Sequence, residues 1–247
     1  MKIDVLGSGS AFAKSKNTAA ITVTDAAGKM WLVDCGPTIP RALFNRNLPL
    51  DAIQVIYFSH IHPDHCAGLP ALINYWKSFQ RSAPLTIICQ PEHRAALQSI
   101  ACLGYWPEQT TTFEIQWLDT EDSFSWQGWQ LQTAETQHEI SNRAILFSVD
   151  NQRLFYSGDG RPTKASRALM KDADLAFQEC ACFTELAADD SHGDFVDCQK
   201  LAEELQINRL GLYHCWDEEV DKIRAAVAGN EKQFVSEDGL QLDLSRL

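Results

Sequence analysis

No stretch of this sequence approaches the roughly 18 consecutive apolar residues of a membrane-spanning helix. There is no CxxC pair, no internal repeat, no low-complexity tract and no linker. Basic charge is scarce: Lys and Arg number 21 against 33 Asp and Glu, a formal net charge of −12. A protein that wraps nucleic acid needs a basic face for the phosphates, so nucleic acid is not an expected partner. Met1-Lys2 runs straight into Ile3-Asp4-Val5-Leu6 with no cleavage-site pattern, so no leader and no membrane association are expected. The eight cysteines, at positions 35, 66, 89, 102, 180, 182, 198 and 215, fall partly inside apolar runs such as Ile87-Ile88-Cys89. They read as buried reduced thiols of a cytoplasmic protein, not as a disulfide framework.

What is present is an ordinary globular composition: 247 residues, 45% hydrophobic and 22% charged. That excludes a wholly disordered chain and leaves ample surface to bury a core. Strand-like and helix-like segments alternate. Residues 2–6, 19–23, 30–34, 55–58 and 85–89 read as strands, with Ala26-Ala27-Gly28 as a hairpin turn. Residues 39–44, 69–79 and 92–100 read as helices; Leu69, Leu72, Ile73 and Trp76 keep helical spacing. In the second half, 113–117, 130–135, 144–149, 154–156, 175–177 and 210–213 read as strands. Residues 166–171, 198–205 and 218–228 read as helices. Each half opens in near-antiparallel strands and continues with helices. The pattern predicts an α/β fold, a four-layer αββα sandwich of two mixed β-sheets with outer helices, as one domain over 1–247.

The histidines carry the chemistry. Three of the seven lie within six residues, in Ser59-His60-Ile61-His62-Pro63-Asp64-His65, directly after the strand 55–58. Ligands at a strand end are held by a rigid element yet project into the open. If the extended trace continues, His60, His62 and Asp64 alternate to one side, and Pro63 sends His65 on another heading. Such an arrangement serves two adjacent cations, one taking His60 and His62, the other Asp64 and His65. Imidazole with carboxylate suits Zn²⁺ first, and also Mn²⁺ or Fe.

This His-x-His-x-Asp-His run resembles the signature of the metallo-β-lactamase fold superfamily. The opening Leu6-Gly7-Ser8-Gly9-Ser10-Ala11, then Asn17-Thr18-Ala19-Ala20 and Val33-Asp34-Cys35-Gly36, resembles the branch that holds ribonuclease Z and the cyclic-phosphate phosphodiesterases of phosphonate breakdown. The resemblance implies further ligands. His138 in Thr136-Gln137-His138, Asp159 in Ser157-Gly158-Asp159-Gly160 and His214 in Leu212-Tyr213-His214 each match a family position. On that basis His60, His62 and His138 bind one ion, Asp64, His65 and His214 the other, and Asp159 bridges. The cofactor implied is a pair of divalent metal ions.

The family also places a histidine in a polar loop before the last ligand; His192 lies 22 residues before His214. The relatives usually read His-Ser-Thr there, whereas Gly193-Asp194 follows here. Glu179 resembles a family Glu behind the metal site, and Asp34 ends a strand in a similar way. Either could orient a ligand histidine, or be an ordinary strand-end acid. His93 starts a helix far from every motif and is expected to be exposed. Trp216 and Phe195 flank motif histidines and could form an apolar wall, or be core aromatics.

The expected function is a dinuclear metal-dependent hydrolase, a phosphodiesterase acting on a small or cyclic phosphodiester through a metal-bridging hydroxide. Asp64 and His192 are the expected catalytic residues, Asp64 orienting the nucleophile and His192 contacting the phosphate or protonating the leaving oxygen. The alternatives are a carboxyl-ester, lactone or thioester hydrolase, a tRNA 3′-processing endonuclease, and a non-catalytic binding module. Against tRNA stand the acidity, the 21-residue interval from His138 to Asp159, too short for a tRNA-gripping arm, and Cys215-Trp216-Asp217-Glu218 in place of Phe-Ser-x-Arg. Dimers are common in the superfamily, so a homodimer is among the expectations.

Overall fold

The computed structural model describes residues 1–171 and 173–246. The first half runs β1 (Lys2–Gly7), β2 (Ala20–Thr24), β3 (Met30–Val33), α1 (Ile39–Phe44), β4 (Ile53–Tyr57), α2 (Pro63–Cys66), α3 (Leu69–Ser78), β5 (Leu85–Cys89), α4 (Pro91–Leu103) and β6 (Ile115–Asp119). The second half runs β7 (Ser123–Trp126), β8 (Trp129–Glu135), β9 (Arg143–Val149), β10 (Gln152–Tyr156), α5 (Lys164–Met170), β11 (Leu175–Glu179), α6 (Phe195–Leu205), β12 (Leu210–Tyr213), α7 (Val220–Ala226), β13 (Gln233–Val235) and β14 (Gln241–Asp243). A 3₁₀ turn, Leu244–Arg246, follows.

Two seven-stranded sheets result, in the orders β14-β1-β2-β3-β4-β5-β6 and β13-β12-β11-β10-β9-β8-β7. In both, antiparallel pairs give way to parallel ones: at β3–β4 in the first sheet and at β10–β11 in the second. The period-two alternation of each strand sorts its residues into separate cores. Ile3, Val5, Trp31, Val33, Val55 and Tyr57 meet Trp129, Leu131, Phe147, Tyr156 and Phe177 between the sheets. The ring of Trp31 lies 5.7 Å from that of Trp129 and 5.4 Å from that of Phe147. The alternate residues Leu32, Ile56, Ile87 and Cys89 face α1, α3 and α4. Leu146, Phe155, Ala176 and Leu212 face α5, α6 and α7 through Met170, Leu201 and Ile223. This is the αββα sandwich that the alternation predicts.

Three short strands escape the pattern. β7 alternates serine with aromatics at a sheet edge and is only half-buried. β13 and β14 are three residues each. β14 returns the chain to the first sheet, antiparallel to β1. All eight cysteines are free thiols, and all but Cys102 are buried. Among the described residues no helix is long and apolar enough to cross a membrane.

Candidate metal centre

The strand ends build the site. β4 is buried on both faces and ends in Phe58-Ser59-His60. The chain stays extended only to His62, at φ −60° and ψ 147°. Pro63 then opens a single helical turn, for which its fixed φ is suited, so Asp64 and His65 do not continue the extended alternation. The turn carries them sideways to a second position beside the first. His65 N–H and Cys66 N–H both donate to the His62 carbonyl. The segment also packs against the β3 end: Cys35 N–H donates to the His65 carbonyl at 2.7 Å, and a Cβ on Gly36 would stand 1.8 Å from the Asp64 carbonyl oxygen.

The second sheet supplies the rest. β8, β10, β11 and β12 run the same way, and their carboxyl ends present His138, Asp159, Glu179 and His214. Such ends are where open sheets place ligands. Gly158 and Gly160, at φ +62° and +95°, turn the chain sharply on either side of Asp159. A residue that the spacing gave no reason to single out completes this turn. Asn142, fully buried, donates from Nδ2 to the Ser157 and Asp159 carbonyls and to Thr136 Oγ1, and accepts from Asp159 N–H. An asparagine in a loop carries no periodic signal; its place directly before the apolar run of β9 is the one cue.

Each predicted ligand histidine has one ring nitrogen beside an outer partner and the other directed to the centre. His65 Nδ1 donates to Asp34 Oδ2 at 2.9 Å, and Asp34 is itself fixed by Ser59 N–H and Oγ–H. His138 Nδ1 donates to the Ser191 carbonyl at 2.9 Å. His62 Nε2 lies 3.1 Å from Glu139 Oε1, and His214 Nδ1 lies 3.4 Å from Glu179 Oε1. His60 Nδ1 meets Ser59 Oγ at 3.0 Å. Outer partners of this kind fix the orientation of metal-binding imidazoles. On the inner side, His62 Nδ1 and His138 Nε2 come within 3.1 Å of each other, and His214 Nε2 is 3.3 Å from both Asp64 and Asp159.

The result is two groups able to hold a metal ion: His60, His62, His138 and Asp159, and Asp64, His65, Asp159 and His214, the donor atoms of each group lying within 4.8 Å of one another. Asp159 belongs to both. His60 Nε2, His65 Nε2 and Asp159 Oδ1 are buried and make no well-aligned hydrogen bond, although His65 Nε2 and Asp159 Oδ1 stand 3.2 Å apart. Buried polar atoms are rarely left so, and a cation among them would satisfy imidazole nitrogens and carboxylate together. The donor set therefore fits divalent metal.

Electrostatics agree. Burial pushes His60 well below its ordinary value, and the neighbouring histidines add to this. Burial also lowers His62. Burial opposes charge on His65 and His214, but Asp159 leads a set of carboxylates that reverses the balance, lifting His65 well above its usual value and His214 to about 10. Burial would raise Asp64 and Asp159. Hydrogen bonds from His214 and His65 outweigh it at Asp64, and the charges of His214 and His65 outweigh it at Asp159, so both stay ionised. Protons on His65 and His214 thus balance the buried carboxylates.

His192 joins this cluster. Its Nδ1 pairs with the buried Glu179, its ring stacks on His214 with centroids 5.9 Å apart, and its edge meets His138. Burial works against its proton, but the Glu179 hydrogen bond wins and raises its pKa. Asp159, Glu179, His192 and His214 form a third group of potential donors. Glu179 thus sits behind both histidines, and Asp34 behind His65. Trp216 stands edge-on to His192 at 6.2 Å. Phe195 opens α6, where it stacks on Phe183 and packs against the core between α6 and the second sheet. His93 is not exposed. It is buried, 6% accessible, because Gln90 draws the start of α4 against Ser59 and Ser141.

The family model described as "Anti-Pycsar protein Apyc1" matches residues 1–239. Ribonuclease Z of Methanosarcina acetivorans is 23% identical over 303 aligned positions, covering 99% of this chain and 98% of that protein. Among solved structures, the metallo-β-lactamase fold protein YhfI of Bacillus subtilis superposes with a TM-score of 0.81 at 18% identity, covering 98% of both chains. A diphosphatase from the PhnP family follows at 0.79 and 16%, covering 98% of this chain and 97% of that one. The two-sheet sandwich is therefore the metallo-β-lactamase fold, and the chain belongs to the Anti-Pycsar protein Apyc1 family.

Proposed function

We propose that this metallo-β-lactamase-fold hydrolase cleaves a small or cyclic phosphodiester at a centre of two divalent cations, zinc foremost. His60, His62 and His138 would hold one cation and Asp64, His65 and His214 the other, with Asp159 shared. When bound, such a pair supplies a water acidic enough to ionise near neutral pH and positive charge against the phosphoryl oxygens. Asp64, kept ionised by His214 and His65, would orient that water. His192 carries the reading. Its Nδ1 is engaged by Glu179, which favours the protonated ring, and its other nitrogen, Nε2, is the atom able to give a proton to the leaving oxygen.

Substrate size is argued from the space beside this group. A cavity of about 370 Å³ opens there, lined by Phe12, Lys14, His192, His214, Trp216 and Asp217 among others. That volume suits a small ligand. The Methanosarcina relative is named ribonuclease Z, which makes RNA the competing substrate. Two observations favour the smaller one. The interval between His138 and Asp159 is filled by the loop before β9 and the β9–β10 hairpin, with no arm. The cavity rim carries Asp217 and Glu218 on a chain of net charge −12.

Turnover of bis(p-nitrophenyl) phosphate, with and without added Zn²⁺ or Mn²⁺, is the test. His192→Ala is expected to lower kcat by roughly 10²–10⁴, and an unchanged kcat removes the general-acid role. Metal-dependent hydrolysis of lactones, thioesters or carboxyl esters without phosphodiester turnover selects the ester-hydrolase reading. Preferential cleavage of a tRNA precursor selects RNA. Tight metal without turnover of any substrate selects a binding module.

A further inference from the structure

We infer that Gln137 is a positioning residue: its side-chain amide holds the backbone of the loop 185–193 so that His192 reaches the metal-ligand cluster. This rests on the phosphodiesterase reading, in which His192 meets the substrate. Gln137 Nε2 donates to two loop carbonyls, Ala188 and Asp190, both at 2.9 Å. Two neighbours extend the same grip. Arg161 Nη1 donates to the Ala187 carbonyl at 2.7 Å, and His138 Nδ1 donates to the Ser191 carbonyl at 2.9 Å. Four carbonyls of one short loop are thus taken by donors on the two segments that carry His138 and Asp159.

Those segments are locked to each other. Gln137 and Arg161 exchange backbone hydrogen bonds at 2.9 and 3.0 Å. Gly160 lets them approach, since a Cβ there would stand 2.5 Å from the Gln137 carbonyl oxygen. Within the loop, Asp190 N–H donates to the Ala187 carbonyl at 3.0 Å and Asp190 Oδ1 accepts from His192 N–H. The loop is therefore held through its backbone carbonyls. Gln137 is exposed. It is the one anchor of the three that lies outside both the predicted ligand set and the buried Arg161 pairing with Asp194.

The test is Gln137→Ala in the full chain, loaded with Zn²⁺. Expected are a 10- to 100-fold fall in kcat on bis(p-nitrophenyl) phosphate, the scale of a misplaced reacting group, with KM nearly unchanged, and faster amide hydrogen exchange confined to 185–193. In a His192→Ala background, Gln137→Ala should remove nothing further. An equal loss in both backgrounds overturns the inference, as does unchanged exchange in the loop. If the wild-type protein turns over no phosphodiester, the functional reading fails, and the exchange measurement still decides whether Gln137 holds the loop.

Discussion

Asp34 adopts φ +62°, a conformation that Asp and Asn tolerate better than most residues because of their short polar side chains. It is fully buried, and burial outweighs its partners to raise its pKa. Both oxygens are nevertheless used, one by Ser59 N–H and the other by Ser59 Oγ–H and His65 Nδ1–H. Asp34→Asn keeps the backbone conformation and the size. It cannot accept from all three donors, because one of its two heavy atoms becomes an NH₂. His65 then loses the partner that fixes its ring. The expected outcome is a fall in metal affinity of about 10- to 100-fold, read by chelator competition. Wild-type affinity in this variant would remove Asp34 from the metal centre. The strand-end position of Asp34 was visible in the sequence; its pairing with His65, 31 residues away, was not, since nothing local specifies it.

At the scale of elements, the metal-ligand turn is shaped by what it packs against. Gly36, just past β3, lies so close to α2 that an added Cβ would meet the Asp64 carbonyl at 1.8 Å and Thr18 Oγ1 at 2.2 Å. Backbone cannot yield as a flexible side chain does. Gly36→Ala is expected to push α2 outward, destabilising the protein by about 1–3 kcal/mol as overpacking does and weakening the Asp64–His65 side of the site. Urea unfolding followed by metal titration checks both effects, and wild-type values in both would mean that the turn relaxes freely. The same packing explains where sequence reading stopped. Short apolar runs located β1 to β6, β8 to β12 and the sandwich they make, because strands covered on both faces must be apolar almost throughout. Sequence reading continued the extended trace through Asp64, because period two has no term for Pro63 starting a helical turn against Gly36. It placed His93 outside, because the hydrogen bonds of Gln90 to two distant loops have no local signature.

Across the whole molecule, the centre joins the two sheets. His60, His62, Asp64 and His65 follow β4 of one sheet; His138, Asp159 and His214 follow β8, β10 and β12 of the other. Without a cation, this junction gathers the buried acids Asp34, Asp64, Asp159 and Glu179 and depends on protons at His65 and His214. Metal should therefore act as a fold-wide clamp. At a free concentration 100 times its Kd, a ligand specific to the folded state adds about 2.7 kcal/mol. At about 2–4 °C per kcal/mol for a chain of this size, chelation is expected to lower Tm by roughly 5–10 °C, and Zn²⁺ should restore it. The direction with pH follows from the raised histidines. Their contribution is complete below the ordinary histidine value and is lost as pH rises toward the folded-state value, about 10 for His214. The metal-free protein should thus lose stability between about pH 6.5 and pH 10, while the loaded protein, with no proton in those positions, holds its Tm. Scanning calorimetry with and without chelator at pH 6.5, 8 and 9.5 should show the gap widening upward. A gap that is absent, or that narrows as pH rises, would mean that the two strand-end clusters do not share a cation.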